Sequence, residues 1–276
     1  MNAVAKMNES MIEVFAGEIS GIFHDRHLTC KSTIDIKALS MDEAYAVQER
    51  YLAARIANGD RIIGYKVGCT SSAIRAQLGI SQPICGRVLA PQLHHDGETL
   101  YIEDYFDCAL EAELVFRIGM DLDGSNLDTT HLRSAISSIS PGIEVHNYRF
   151  WYGRPTPQEL IASNGIHAAL VVGAARELSP EADLKQEQTM LVVNQVEVAS
   201  GFGADLMDGR GPIESLRWLL RHLKERKLGL RAGDYVIPGS ATKLTPVKSG
   251  DVAEARFTHI GVCRAIFHSS RVRNED

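Results

Sequence analysis

The chain has 276 residues, of which 45% are hydrophobic and 23% charged, as in a soluble globular protein with a sizeable core. Its formal net charge of -6 excludes a global positive field that would attract nucleic acid or an anionic membrane, so neither partner is expected. The five cysteines form no CxxC pair and the sequence shows no apolar signal core or bilayer-spanning run, which predicts a cytoplasmic protein without disulfides.

The first part of the chain is predicted to be mostly helical. Helical spacing of apolar residues runs through residues 8–23. A second helix begins after Ser40, which forms a capping box with Glu43. A strand with the sequence IIGYKVG follows, and then a short helix that Gly79 ends. We expect an N-terminal α/β subdomain over residues 1–83.

From about residue 84 the pattern is that of short strands separated by turn residues. Two helices are predicted among them, one over residues 129–140 and one over residues 211–229 that begins at Pro212. The stretch DVAEARFTHIGVCRAIF predicts a hairpin near the end of the chain. Helices that precede a run of strands favour an α+β fold, with a β-rich catalytic domain over residues 84–276.

Three glutamates point to a metal site. In CALEAELVF, the alternation of a strand places Glu111 and Glu113 on one face, where two carboxylates repel unless water or a cation separates them. A third acid, Glu144, lies in the short apolar strand of SPGIEVHN. On neighbouring strands the three would bind a hard divalent cation such as magnesium. The alternative is that they lie on a solvated strand face.

Lys66 lies inside the apolar strand IIGYKVG, where an ammonium without a partner is costly to bury. Next to a metal that chelates a 2-oxo acid, it would stabilise the charge that develops on the enolate. The alternative is a lysine that extends from a strand end into solvent. The sequence alone leaves both readings open.

Several segments occur in the order typical of one protein family, among them IIGYKVGCTSSAIRAQLGI, ALEAELVF, SPGIEV, LRAGDYVIPGS, PVKSGD and GVCRAIF. Over roughly residues 40–268 the chain resembles the fumarylacetoacetate hydrolase superfamily, in particular its 2-keto-4-pentenoate (2-hydroxypenta-2,4-dienoate) hydratases and 4-oxalocrotonate decarboxylases. The resemblance implies a mixed β-roll fold, a Mg²⁺ or Mn²⁺ ion, and a small 2-oxo acid substrate that reacts through an enol. It also implies a homo-oligomer and a complex with a related decarboxylase.

The resemblance also implies roles for individual residues. The metal ligands would be Glu111, Glu113 and Glu144, and the catalytic lysine would be Lys66. The substrate-binding positions would be Leu78, Gly79, Asn164 and Ser240.

Two stretches depart from the family pattern. After the third acid the hydratases usually read VVDSR, whereas this chain reads VHNYRFWYG, and SNGIHA replaces a DNAS-like stretch. Those positions lie near the reacting carbon chain in the family, so the departures leave the substrate open. They add four candidate pocket residues: His146, Arg149, Trp151 and His167.

We predict a metal-dependent hydratase that adds water to a 2-hydroxy-2,4-dienoate in aromatic meta-cleavage catabolism. A 4-oxalocrotonate-type decarboxylase is the second candidate, because the motifs do not separate the two reactions. C–C hydrolysis of an acylpyruvate is third, since it needs a His/Glu pair to activate water. The histidines available for that pair are His24, His27, His94 and His95. A catalytically idle partner subunit is the fourth candidate.

Overall fold

The computed structural model describes residues 3–25, 39–148 and 155–269. Their helices are α1 (Ala3–Asp25), α2 (Met41–Ala57), α3 (Ser72–Leu78), α4 (Thr129–Ser134), α5 (Pro157–Ala162) and α6 (Pro212–Glu225). Their strands are β1 (Ile62–Gly68), β2 (Ile84–Leu89), β3 (Leu93–His95), β4 (Thr99–Tyr101), β5 (Cys108–Ile118), β6 (Ile136–Asn147), β7 (His167–Val172), β8 (Gln188–Val193), β9 (Val196–Phe202), β10 (Tyr235–Ile237), β11 (Thr245–Pro246), β12 (Val252–Phe257) and β13 (Gly261–His268). The predicted α+β class is confirmed.

The strands form two sheets that share one core. The larger sheet has the order β2-β1-β10-β5-β6-β7-β3, and β11 pairs with the free part of β5. It is mixed, because β1 runs parallel to β10 whereas β5 and β6 are antiparallel. The smaller sheet has the order β4-β13-β12-β8-β9. Buried side chains from both sheets, such as Phe116 and Ile143 from the larger and Phe267 from the smaller, form a common hydrophobic cluster.

The register of β5 and β6 arranges the acidic residues. Glu111 lies directly opposite Glu144, and Glu113 lies opposite Gly142. Because side chains two residues apart share a face, Glu113 lies diagonal to Glu144 on one side of this pair and His146 lies diagonal to Glu111 on the other. Four side chains with metal-binding groups therefore project from one patch of the sheet.

Two helix ends lie where the local sequence signals predicted them. Ser40 and Glu43 form the expected capping box of α2, and Gly79 ends α3 in a left-handed conformation with φ 70°. Helices α1 and α2 pack together through apolar residues that include Phe15 and Leu52. The buried amide of Gln48 then joins α2 to β2 and α5, because it donates to the backbone carbonyls of Cys85 and Ile161.

One predicted element is wrong over half of its length. We expected a helix over residues 129–140, but α4 ends at Ser134 and β6 begins at Ile136. The residues from Ile136 onward pair with β5, and Ile139 packs into the main core. Pairing with a long buried strand outweighs the local helical spacing, because strand preference is set by cross-strand packing more than by local propensity.

The N-terminal strand belongs to the large sheet. Strand β1 pairs with β2 and β10, which lie beyond the domain boundary expected at residue 83, and that boundary stays a prediction. Within the described residues, Cys69, Cys85, Cys108 and Cys263 are free thiols. None of the described helices has the length and apolar character needed to cross a membrane.

Candidate metal centre

Among the described residues, a group of three side chains can hold a metal ion: Glu111, Glu144 and His146. One ligand atom from each lies within 4.8 Å of the others. Nε2 of His146 is 3.0 Å from Oε2 of Glu111 and 3.5 Å from Oε2 of Glu144. Two carboxylates and an imidazole are donors that divalent ions accept, so the chemistry of this group fits such an ion.

Glu113 lies beside this group on β5 and is only 1% exposed. One of its carboxylate oxygens, Oε2, has no hydrogen-bond partner among the described residues. Burial, followed by the charges of Glu144 and Glu111, raises the pKa of Glu113 well above its usual value, although the charge of Lys66 and the backbone N–H of Gly239 oppose the shift. A cation would relieve this repulsion, but Glu113 is not one of the three residues whose ligand atoms lie within 4.8 Å of one another. Its role as a ligand stays a prediction.

Lys66 reaches the acidic group from β1. Its Nζ lies 3.2 Å from Oε1 of Glu144, and the lysine is 4% exposed, so the alternative of a lysine extending into solvent is wrong. Burial alone would lower the pKa of Lys66, but the charges of Glu144 and Glu111 raise it. The side chain is therefore an ammonium within reach of whatever the carboxylates bind.

Glu144 is the hub of the site and is 1% exposed, so the alternative of a solvated acid is wrong for it as well. Its Oε1 forms an ion pair with Nζ of Lys66 and also lies 2.7 Å from Nδ1 of His167. Burial would raise the pKa of Glu144, but His146, Lys66 and His167 together lower it. Glu144 is consequently an ionised carboxylate, and its second oxygen, Oε2, lies next to His146 in the group of three.

Asn164 and Gly165 form a wall beside Lys66. The side-chain amide of Asn164 makes two hydrogen bonds to the backbone of Arg87 on β2. Its Oδ1 accepts from Arg87 N at 2.7 Å, and its Nδ2 donates to Arg87 O at 2.8 Å. Gly165 has a φ of +65°, and a Cβ there would lie 2.6 Å from Cε of Lys66. Close approach to the lysine therefore requires glycine at this position. The expected contact of Asn164 with substrate stays a prediction.

The loop after β10 is hydrogen-bonded to β5, the strand that carries Glu111 and Glu113. Ser240 Oγ donates to the carbonyl of Ala112 at 3.0 Å, and the backbone N–H of Ala112 donates to Oγ1 of Thr242 at 3.0 Å. Ala112 lies between Glu111 and Glu113, so these two hydroxyls fix the backbone from which both carboxylates project. Thr242 was not singled out from the sequence, and the expected substrate contact of Ser240 stays a prediction.

The remaining candidates have different positions. Leu78 is half-buried and Gly79 exposed where α3 ends, shortly after the strand of Lys66, and their substrate contact stays a prediction. On β3, Nδ1 of His94 lies 3.0 Å from Oε2 of Glu98, and His95 is exposed. The structure does not describe the side chain of His24, and three further candidates lie outside the described residues: His27, Arg149 and Trp151.

Comparison with known proteins gives matches over most of the chain. The family described as "Fumarylacetoacetate (FAA) hydrolase C-terminal" matches residues 88–267. The chain is 33% identical to the "TodF product hydratase" of Pseudomonas putida F1, over 82% of this chain and 84% of that protein. It is 28% identical to the 2-keto-4-pentenoate hydratase of Paraburkholderia xenovorans LB400, over 85% of this chain and 86% of that one.

A solved structure agrees in fold as well. The 4-oxalocrotonate decarboxylase from Pseudomonas putida G7, complexed with magnesium and adipate, is 27% identical to this chain and superposes with a TM-score of 0.87. The match covers 94% of this chain and 98% of the decarboxylase. The resemblance inferred from the motifs is thereby confirmed across nearly the whole fold.

Proposed function

Because the chain belongs to the fumarylacetoacetate hydrolase family, we propose that it is a divalent-metal-dependent hydratase of aromatic meta-cleavage catabolism, which converts a 2-hydroxy-2,4-dienoate into a 4-hydroxy-2-oxo acid. Relatives named as hydratases match 82% and 85% of the chain. The observation that carries the proposal is the buried contact between Lys66 and Glu144, at 3.2 Å, beside a group of side chains that can hold a metal ion.

The proposed metal ligands are Glu111, Glu113 and Glu144, and the proposed ion is Mg²⁺ or Mn²⁺. Carboxylate oxygens suit both ions. When bound, the ion would act as a Lewis acid that polarises the oxygens of a chelated 2-oxo acid and orients the substrate. The unpartnered oxygen of Glu113 and the short distances within the group of three support a cation at this place.

Lys66 would hold a positive charge next to the 2-oxo oxygen. As the dienol becomes its oxo tautomer, the hydroxyl proton leaves and the terminal carbon gains a proton, which gives an α,β-unsaturated 2-oxo acid. Water then adds to the β carbon, and the carbon between it and the oxo group takes the second proton. Both steps pass through enolate character, which a fixed ammonium stabilises. Asn164, Ser240 and the turn of Leu78 and Gly79 are the proposed substrate contacts.

Decarboxylation of a 4-oxalocrotonate-like acid is the second candidate function. The solved decarboxylase superposes with a TM-score of 0.87 over 94% of this chain. The same arrangement of Lys66 and the carboxylates would stabilise the enolate that remains when carbon dioxide leaves. Substrate choice would then separate the two activities, and the fold is common to both.

The test is an assay of the purified protein with Mg²⁺ or Mn²⁺ and enzymatically generated 2-hydroxypenta-2,4-dienoate. We expect loss of the dienol absorbance and formation of a 4-hydroxy-2-oxo acid, identified by mass spectrometry. Release of carbon dioxide from 4-oxalocrotonate without dienoate turnover would replace the hydratase with the decarboxylase. Cleavage of acylpyruvates alone would indicate a hydrolase. No turnover of any of the three would favour an idle partner subunit or a substrate outside these three.

Self-association belongs to the same proposal. We propose a homo-oligomer and a complex with a related decarboxylase, and both rest on the family resemblance. Light scattering of the purified protein, alone and after mixing with such a decarboxylase, measures both. A monomer that stays a monomer in the mixture would contradict this part of the proposal.

A further inference from the structure

His146 occupies a position in the site that the three proposed glutamate ligands leave unexplained. It lies on β6, two residues after Glu144, and strand alternation places both side chains on the same face. His146 is 4% exposed, in a part of the sheet lined by carboxylates. A buried imidazole normally has a partner for at least one of its nitrogens.

Neither ring nitrogen of His146 has a hydrogen-bond partner among the described residues. This holds although Nε2 lies only 3.0 Å from Oε2 of Glu111 and 3.5 Å from Oε2 of Glu144. A histidine that simply paired with a carboxylate would align its N–H with the oxygen. Here the nitrogen lies beside the two oxygens, so that three ligand atoms border the same small space.

His167 differs from His146 in this respect. Its Nδ1 is 2.7 Å from Oε1 of Glu144, the same oxygen that contacts Lys66. Lys66 and His167 therefore hold Oε1, while Oε2 of Glu144 faces His146. In Glu144, Oε1 is therefore held by Lys66 and His167, whereas Oε2 is available to an ion.

We propose that His146 binds the divalent ion directly through Nε2, which makes the centre a mixed carboxylate and imidazole site. The inference rests on the metal site of the proposed function and adds His146 to Glu111 and Glu144, the two proposed ligands whose oxygens share the space with its Nε2. Imidazole suits transition metals, whereas Mg²⁺ takes oxygen ligands. The centre should therefore select Mn²⁺ over Mg²⁺ more strongly than a site of carboxylates alone.

Pulsed electron paramagnetic resonance of the Mn²⁺-loaded full-length protein tests the ligand without reference to activity. We expect a directly coordinated ¹⁴N signal in the wild type, which ¹⁵N-histidine labelling shifts. The signal should disappear in His146→Val, where valine suits a strand. It should persist in the matched variant His167→Gln, because His167 contacts Glu144 and lies outside the group of three.

Competition between Mn²⁺ and Mg²⁺, followed by calorimetry, gives the second readout. The affinity for Mn²⁺ should fall by about tenfold or more in His146→Val, at least the loss that follows from changing residues around a metal's ligands. The affinity for Mg²⁺ should fall less, so that the preference for Mn²⁺ decreases. The wild-type spectrum needs no variant, so a folding defect in His146→Val leaves the inference testable. Bound Mn²⁺ without nitrogen coupling, or coupling that survives in His146→Val, would overturn it.

These outcomes are separable from the fate of the proposed function. Dienoate turnover by a protein whose Mn²⁺ shows no nitrogen coupling would overturn the histidine ligand and leave the hydratase intact. Nitrogen coupling without turnover of the dienoate would support the ligand and count against the hydratase. A protein that binds no divalent ion would contradict both.

Discussion

At the scale of single residues, the charge of Lys66 is the feature most closely tied to catalysis. Its ammonium contacts Glu144, and although burial lowers the pKa of Lys66, the charges of Glu144 and Glu111 raise it above the usual value. Lys66→Met keeps most of the side-chain bulk and removes the charge. We expect kcat to fall by about 100- to 1,000-fold, the usual loss on removing a group that stabilises an oxyanion. Steady-state kinetics measure kcat, and calorimetry should show that the metal still binds.

Lys248→Met is the matched control for Lys66→Met, because Lys248 is an exposed lysine. It should leave kcat unchanged. An unchanged kcat in Lys66→Met would instead reduce Lys66 to a structural partner of Glu144.

Glu113 allows a second prediction at this scale. Its carboxylate is buried, and the neighbouring charges of Glu144 and Glu111 add to burial in raising its pKa. Glu113→Gln keeps the shape and removes the charge. We expect metal affinity to fall about 10- to 100-fold and activity to fall with it. The metal-free protein should melt at the same or a higher temperature, because the repulsion among buried carboxylates is reduced.

Titration calorimetry and thermal melts in chelator measure the two effects of Glu113→Gln. Glu225→Gln changes an exposed acid at the end of α6 and should alter neither. Activity that survives in Glu113→Gln with unchanged metal dependence would remove Glu113 from the ligand set.

At the scale of elements, hydrogen bonds from the loop after β10 hold the backbone of β5 between Glu111 and Glu113. Thr242 is 6% exposed, and its Oγ1 accepts the backbone N–H of Ala112. Thr242→Val leaves that N–H without its partner in a buried place, which costs about 1–3 kcal/mol. We expect a loss of that size in the free energy of unfolding, measured in urea, together with weaker metal binding. Thr242→Ser retains the hydroxyl and should recover most of both, so equal losses in the two variants would contradict the role of this hydrogen bond.

Elements with strong local signals could be predicted from the sequence. The capping box of Ser40 and Glu43 and the left-handed Gly79 are set by side chains a few residues apart, and both are confirmed. The segment from Ile136 failed because its partner, β5, is distant in sequence. Alternation along one strand placed Glu111 and Glu113 together, but the approach of His146 to Glu111 depends on the register between two strands, which the sequence does not encode locally.

At the scale of the whole molecule, the site exists only because the large sheet curls. Strands β10 and β5 separate β1 from β6 in the sheet order, so in a flat sheet the backbones at Lys66 and Glu144 would be about 14 Å apart, and their side chains would stand roughly parallel to each other. Their charged groups are instead 3.2 Å apart. The two strands must therefore face each other across a concave surface. Neither the partner of Lys66 nor this closure follows from strand patterns. The expectation that the lysine lies near the acids came from the proposed enolate chemistry and from the family resemblance.

Helix packing around the sheet should also make stability depend on pH. His222 of α6 is buried, stacks on Trp218 with ring centroids 5.0 Å apart and contacts Tyr45 of α2. Burial, with smaller contributions from Arg226 and Arg87, lowers its pKa from 6.5 to about 3. Between these two values the unfolded chain binds a proton that the folded chain does not, so stability must fall as the pH falls below about 6.5.

His222→Phe keeps an aromatic ring between α2 and α6 and removes this titration. Between pH 7 and pH 5 the wild type should lose about 2 kcal/mol more unfolding free energy than His222→Phe, since each pH unit below the unfolded pKa contributes about 1.4 kcal/mol. Urea unfolding of the metal-free proteins at both pH values measures the difference. His95→Phe, at an exposed position, should keep the wild-type dependence. If His222→Phe kept it too, the histidine would be protonated in the folded protein, and the packing of α6 against α2 would have to accommodate that charge beside Arg226.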